Sequence, residues 1–519
     1  MHGTASLRPT APWSCLAWLL LMVALPATAA ERPLNKDDMA WLQRATFGVD
    51  SATVASYRQL GRVGYLNQQL AVRDDHLPAP IQALIDGYDV IRTPPLELLA
   101  TYREKRKQIG QSPGNTASVA ARKELGAFRR KLYTQDASVP LLHAIYGSDQ
   151  LKEQVVWFWL NHFSIYARKG GVRLVTVDYV EHTIRPHAMG KFSELVLASL
   201  QSPAMLQYLD NAKNVKGKTN ENYARELMEL HTLGVDQGYT QQDVQQLALI
   251  LTGVGIIRQG PKGAGRRGHQ PEGMVRHGVF VFNPRLHDFS YKQFLGHIIK
   301  GSGYAEIEQA VDLITRQPAC AQFVSKQLAQ YFVADKPPQA LVTAMARTFL
   351  RTDGDITAVL RTMFESPLVI QDKPPGKFKD PAQFVISSMR FVQDGKPIAN
   401  AQPLVKWLND LGQPVFGRIT PDGWPLDAAS WSGSGQMTKR FDVAGEIGSG
   451  RNRLFVDPDV AGKSRFPGGA APDLDTPLYR TTLEPFLSAS TRSALEKARS
   501  RSEWNTFLLS SPEFNYRWR

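Results

Sequence analysis

Five side chains have the type and placement for metal or proton chemistry. His162 follows Asn161 in the middle of an apolar run. Glu226 and Glu229 sit three apart in Lys218–Gly234, and His287-Asp288 follows a short apolar stretch. His162, His287 and Asp288 are candidate ligands for a hard or borderline divalent metal such as zinc. Glu226 and Glu229 are candidates for proton transfer, one of them as general base toward a metal-bound water. No His-Glu-x-x-His spacing is present to fix that assignment. The same residues also fit a second chemistry, a buried hydrogen-bond network that specifies the core.

Local sequence constrains how these groups are held. Thr219 or Asn220 can cap a helix that Gly234 stops. At about 100° per residue, Glu221, Asn222, Arg225, Glu226 and Glu229 share one stripe of that helix. Tyr223, Ala224, Leu227, Leu230 and His231 share the opposite one. If the polar stripe faces outward, Glu221, Arg225 and Glu229 pair along it and His231 is a core histidine. If it faces inward, both Glu side chains are available for chemistry. Asn161-His162 lies within Asp149–Lys169, dense enough in apolar residues on all sides to be buried, so the pair must find polar partners. Tyr208-Leu209-Asp210-Asn211 leads into a Lys-rich loop and then the Lys218–Gly234 segment.

The remaining chain predicts a mainly α fold: a multi-helix core with long loops, a short β element near 279–282, and an irregular Gly/Pro/Trp-rich C-terminal region. Asn35 precedes a helix start, Gly61 to Leu70 is helical, and Thr240 with Asp243 caps a helix from about Gln241 to Leu251 that ends at Gly253. Residues 109–120 form a polar loop between two basic helices. Residues 259–278, with six Gly and two Pro, form a long loop. Helical patterns return from Tyr304 to Arg390, and a final helix covers Thr491 to Leu509. The expected organisation is a signal peptide over 1–30, a helical core over 31–400, and a C-terminal region over 401–519 packed on it.

Trp13 to Leu25 is apolar and too short for a membrane span, and small residues follow to Ala30, the pattern of a secretory signal peptide. Cleavage there leaves Cys320 as the one thiol, which its apolar surroundings mark as packing. The expected address is periplasmic or extracellular, by the general secretory route, with no transmembrane segment after cleavage. Lys+Arg 61 against Asp+Glu 48 gives a net charge of +13. The densest basic spots, Arg103–Lys107, Arg129–Lys131 and Arg499–Arg501, are scattered along the chain as on ordinary solvated helix faces. No nucleic-acid signature accompanies them, and anionic envelope polymers or lipid head groups fit an exported basic protein better. No nucleotide or flavin fingerprint occurs.

Several of these segments together resemble the domain of unknown function 1800 family. They are Trp41-Leu42-Gln43-Arg44-Ala45-Thr46-Phe47-Gly48, Phe158-Trp159-Leu160-Asn161-His162-Phe163, Pro203–Asn211 and Asn220–Gly234. Gly238-Tyr239-Thr240 with Leu251-Thr252-Gly253, His287-Asp288 with Lys292, and Leu508–Phe514 complete the set. Val254 stands where a Trp often follows the Leu-Thr-Gly motif in that family. The resemblance implies an exported bacterial protein that works with a sulfatase-like exported protein encoded nearby, and it implies no catalytic residues. The expected function is binding of a partner protein or an anionic envelope polymer, the alternative a metal-dependent hydrolase acting in the periplasm or outside the cell.

Overall fold

The computed structural model describes Gly3 and residues 32–71, 76–111, 116–257, 271–370, 376–456 and 469–518. The proposed signal peptide therefore lies outside the described residues. What is described is mainly helical. Among the described residues the short strands form three small antiparallel sheets. β1 (Val254–Ile256), β2 (Val275–His277) and β3 (Phe280–Phe282) make one sheet in the order β1-β3-β2. β4 (Lys292–Phe294) pairs with β5 (His297–Ile299), and β6 (Lys377–Phe378) with β7 (Tyr516–Arg517).

Local signals set many of the boundaries. Asn35 caps helix Lys36–Ala45 by accepting from the Asp38 N–H at 2.8 Å. Thr240 and Asp243 form the full capping box of helix Gln241–Ile250. Gly253 then takes φ 79°, and a Cβ there would stand 2.7 Å from the Asn283 carbonyl, so only glycine lets the chain turn into β1.

Four expectations need correction. Helix Ser51–Leu70 begins ten residues before Gly61, which interrupts it at φ 66°. The final helix is two, Ala489–Glu496 and Arg501–Ser510, because Ser500 caps the second by accepting from the Glu503 N–H. β2 falls inside the expected 259–278 loop, of which residues 258–270 lie outside the described residues. Likewise, within the expected polar loop 109–120, helices extend to Gln111 and from Thr116, and residues 112–115 lie outside the described residues.

One apolar core runs from Leu34 to Trp518 and includes Trp41, Trp159 and Trp407, each fully buried. Burying such a large side chain contributes about 1.5–3 kcal/mol or more from area alone. The stretch after Gln402 is not merely irregular, since helices Gln402–Asp410 and Ser434–Gly448 both send side chains into this core. Cys320 is buried there, and burial pushes its thiol well up. Among the described residues, no helix is long and apolar enough to cross a membrane.

Candidate functional site

The segment with the two Glu candidates is not a regular helix. α-Helix Asn222–Glu226 passes into a π-turn, Leu227–Thr232, in which Thr232 Oγ1 donates to the Leu227 carbonyl and the Leu233 N–H to the Met228 carbonyl. Each bond spans five residues, so the turn absorbs one extra residue and both His231 and Thr232 face inward. The polar stripe stays outward. Arg225 pairs with Glu221 at 3.2 Å and Glu229 at 3.3 Å. Glu226 is half-buried, and burial first, then the neighbouring Glu229, raises its carboxyl above the ordinary range. Of the two proton-transfer candidates, Glu229 is engaged by Arg225, and Glu226 has the shifted carboxyl.

His162 ends helix Gln150–His162 and is buried among Phe158, Trp159, Phe163, Phe192 and Phe323. Its Nε2–H donates to the His231 carbonyl at 2.9 Å, and burial lowers its pKa to about 4. The His231 ring packs 5.0 Å from Phe163, and neither of its nitrogens has a hydrogen-bond partner. Asn161 does find the partners its burial demands. Its side-chain amide donates to the Trp424 carbonyl at 3.0 Å and accepts the Trp424 N–H at 2.7 Å, pinning the C-terminal region to this helix.

His287 and Asp288 belong to a different cluster. His287 Nδ1 lies 2.8 Å from the Thr252 carbonyl and Nε2 lies 2.9 Å from Glu306 Oε1. Buried Lys292 donates to Glu306 Oε2 at 2.6 Å and to the Asp288 carbonyl. Burial would raise the Glu306 carboxyl, but the bonds from His287 and Lys292 outweigh it and hold the group below its usual range. The Asp288 carboxylate accepts from the Ser290 N–H at 2.8 Å. His162, His287 and Asp288 are thus not brought together as one ligand set. Among the described residues, no group of three or more His, Cys, Asp or Glu side chains is placed to hold a metal. At the Glu306 carboxylate the positive charge is the Lys292 ammonium.

Two features went unmarked in the sequence. The first is an open groove beside a second π-turn, Tyr179–Ile184. Pro186 lacks an N–H, and its ring crowds the carbonyl four residues back, so the ladder widens and Arg185 N–H donates to the Val180 carbonyl. Arg185 bridges two carboxylates, Glu153 at 2.5 Å and Glu181 at 3.3 Å, and the His143 ring lies 4.0 Å from each. Arg185, Glu181 and His143 line a cavity of about 1020 Å³. It continues past Pro94, Pro95, Asp178 and His182 into a recess of about 610 Å³ that reaches His187 and His277. Acids, bases and imidazoles alternate along this wall, so it offers hydrogen bonds to both donors and acceptors.

The second feature starts at the lip of the groove. Helix Pro95–Gln111 buries only Leu98 and Leu99 in the core and then runs along the first half of helix Thr116–Tyr146. Lys105 lies 3.9 Å from Glu124 and its ammonium stands 5.9 Å from the Phe128 ring, which fixes the two helices as a hairpin. This pairing gathers Arg103, Lys105, Arg106 and Lys107 with Arg122, Lys123, Arg129, Arg130 and Lys131. Residues 103–131 hold 9 Lys+Arg and 2 Asp+Glu, a net of +7. Seven of the nine are exposed and two are partly buried. Two of the basic spots that look scattered along the chain, Arg103–Lys107 and Arg129–Lys131, therefore lie on one hairpin, and Arg499–Arg501 lies outside it. At about 1.5 Å per residue, Arg103 stands roughly 12 Å along its helix from the groove wall at Pro95.

A family model described as "Protein of unknown function (DUF1800)" matches residues 40–516. No curated protein and no solved structure matches the chain.

Proposed function

The chain belongs to the DUF1800 family, and from that premise we propose that it is an exported helical protein that binds an anionic envelope polymer along its basic hairpin and the adjoining groove. The observation that carries this proposal is the net +7 gathered on two exposed helices between Arg103 and Lys131. A concentration of one charge sign on an exposed element raises the local density of an oppositely charged polymer and speeds its capture. The leader-like run Trp13–Leu25 supports an exported address, where such polymers are found. The groove supplies what charge alone does not, a shaped wall whose His143, Arg185, Asp178 and His182 can discriminate among repeating units. A metal-dependent hydrolase would need a ligand set other than His162, His287 and Asp288.

The test is retention on polyphosphate and polyglutamate surfaces at stepped salt. Wild-type protein is expected to bind at about 50 mM NaCl and release progressively toward 500 mM. Replacing Lys105, Arg106, Lys107, Arg129, Arg130 and Lys131 by Gln should weaken binding at least tenfold without altering the melting temperature by more than a few degrees. Equal retention of the variant and wild type would overturn the proposal. Retention by a protein partner alone, with neither polymer bound, would move the function to protein recognition.

A further inference from the structure

Away from the groove and hairpin, three cations lie deep in the core with only neutral or backbone partners. Lys379, Arg440 and Arg517 are 6 %, 0 % and 2 % exposed. The β6–β7 pairing brings them together, since Lys379 follows β6 with its N–H on the Asn515 carbonyl and Arg517 lies in β7. The Lys379 ammonium donates to Ser387 Oγ at 3.0 Å, and the Ser387 hydroxyl donates to the Phe384 carbonyl. Arg440 donates to Asn515 Oδ1 and the Lys379 carbonyl, and Arg517 to the Tyr331 carbonyl. Nε and Nη1 of Arg517 have no partner. Asp380 and Asp335 act on the guanidinium groups only from beyond ion-pair range.

Beside Lys379, Ser387 and Arg517 is a cavity of about 20 Å³, lined also by Gln43, Phe514 and Glu513. A void of about 10–15 Å³ suffices for one water-sized particle, so this one holds a single atom-sized guest and no oxyanion. The Glu513 carboxylate also borders it and accepts from the Ser488 N–H at 2.9 Å and the Thr491 hydroxyl at 2.8 Å, but it makes no ion pair with Lys379 or Arg517. A buried charge without a counter-charge is costly, and water in the cavity would leave the charge uncompensated.

We propose that this cavity is a binding site for one small monovalent anion, chloride in a salt-containing medium, held between the Lys379 ammonium and the free edge of the Arg517 guanidinium. Burial, then Arg517 and Arg440, push the Lys379 ammonium down to about 7, and a bound anion would restore its positive form. The site is independent of the basic hairpin.

The experiment exchanges the full-length chain's mature form into sodium gluconate and replaces gluconate by chloride or bromide at constant ionic strength. A saturable rise in Tm of at least about 2 °C is expected with either halide. Lys379→Met should remove the halide-dependent rise. In bromide-grown crystals of the wild type, an anomalous peak is expected between Lys379 Nζ and Arg517, a readout that holds even if the variant does not fold. Superimposable melts in halide and gluconate together with no anomalous peak would overturn the proposal and leave water as the occupant.

Discussion

The imidazoles of His162 and His231 lie among Phe158, Phe163, Phe192 and Phe323, where a charged ring has no counter-charge. For His162 the folded-state pKa of about 4 is below the ordinary 6.5, so the neutral ring is favoured in the native protein. The stability this gives is complete above pH 6.5 and is lost as the pH falls toward 4, amounting to roughly 3 kcal/mol for this ring. Urea midpoints measured from pH 7 to pH 4 should fall steeply in the wild type. In His162→Gln, whose amide can still donate to the His231 carbonyl, the decline should be shallower, and identical slopes would refute the assignment. The sequence already required partners for Asn161, and Trp424 provides them. It could not name that partner, 263 residues away. Glu306 was equally invisible, because nothing local distinguishes it from a helix-starting Glu on the surface.

At the scale of elements, caps and stops were legible because their chemistry lies within four residues. Asn35, Thr240 with Asp243, and Gly253 act where the sequence places them. Gly253→Ala should lower stability by at least about 2 kcal/mol, since alanine there adds left-handed strain to a Cβ 2.7 Å from the Asn283 carbonyl. A melt within 1 °C of wild type would show instead that the turn relaxes. The π-turns were not legible. A widened turn differs from a regular one by a single residue, and the polar stripe of Glu221, Asn222, Arg225, Glu226 and Glu229 fits both. Only Pro186 was a printed signal, and it marks a break without giving its form. The basic hairpin escaped for a different reason: its two charged helices become neighbours through antiparallel packing, which no charge count along the chain contains.

At the scale of the whole described fold, the segment Leu34–Arg44 is closed against Thr481–Trp518. Gln43 accepts the Trp518 N–H at 2.7 Å, Arg44 donates to the Trp518 carbonyl, and Leu34 N–H donates to the Thr481 carbonyl at 3.1 Å. The mainly α class was legible from periodicity, whereas this closure depends on contacts spanning more than 440 residues and was not. Ending the chain after Ser511 would remove Phe514, β7 and Trp518, leaving the β6 backbone and Gln43 without partners. Circular dichroism should show a melting temperature lowered by 10 °C or more, or a chain that does not fold; a loss under 2 °C would mean that the closure is ornamental. The same closure sets an order in time. Helix Lys36–Ala45 cannot make its contacts to Trp518 until a segment more than 470 residues further along the chain has docked on it. A pairing so distant in sequence forms late in folding, because the long intervening loop must be closed before the contact is made.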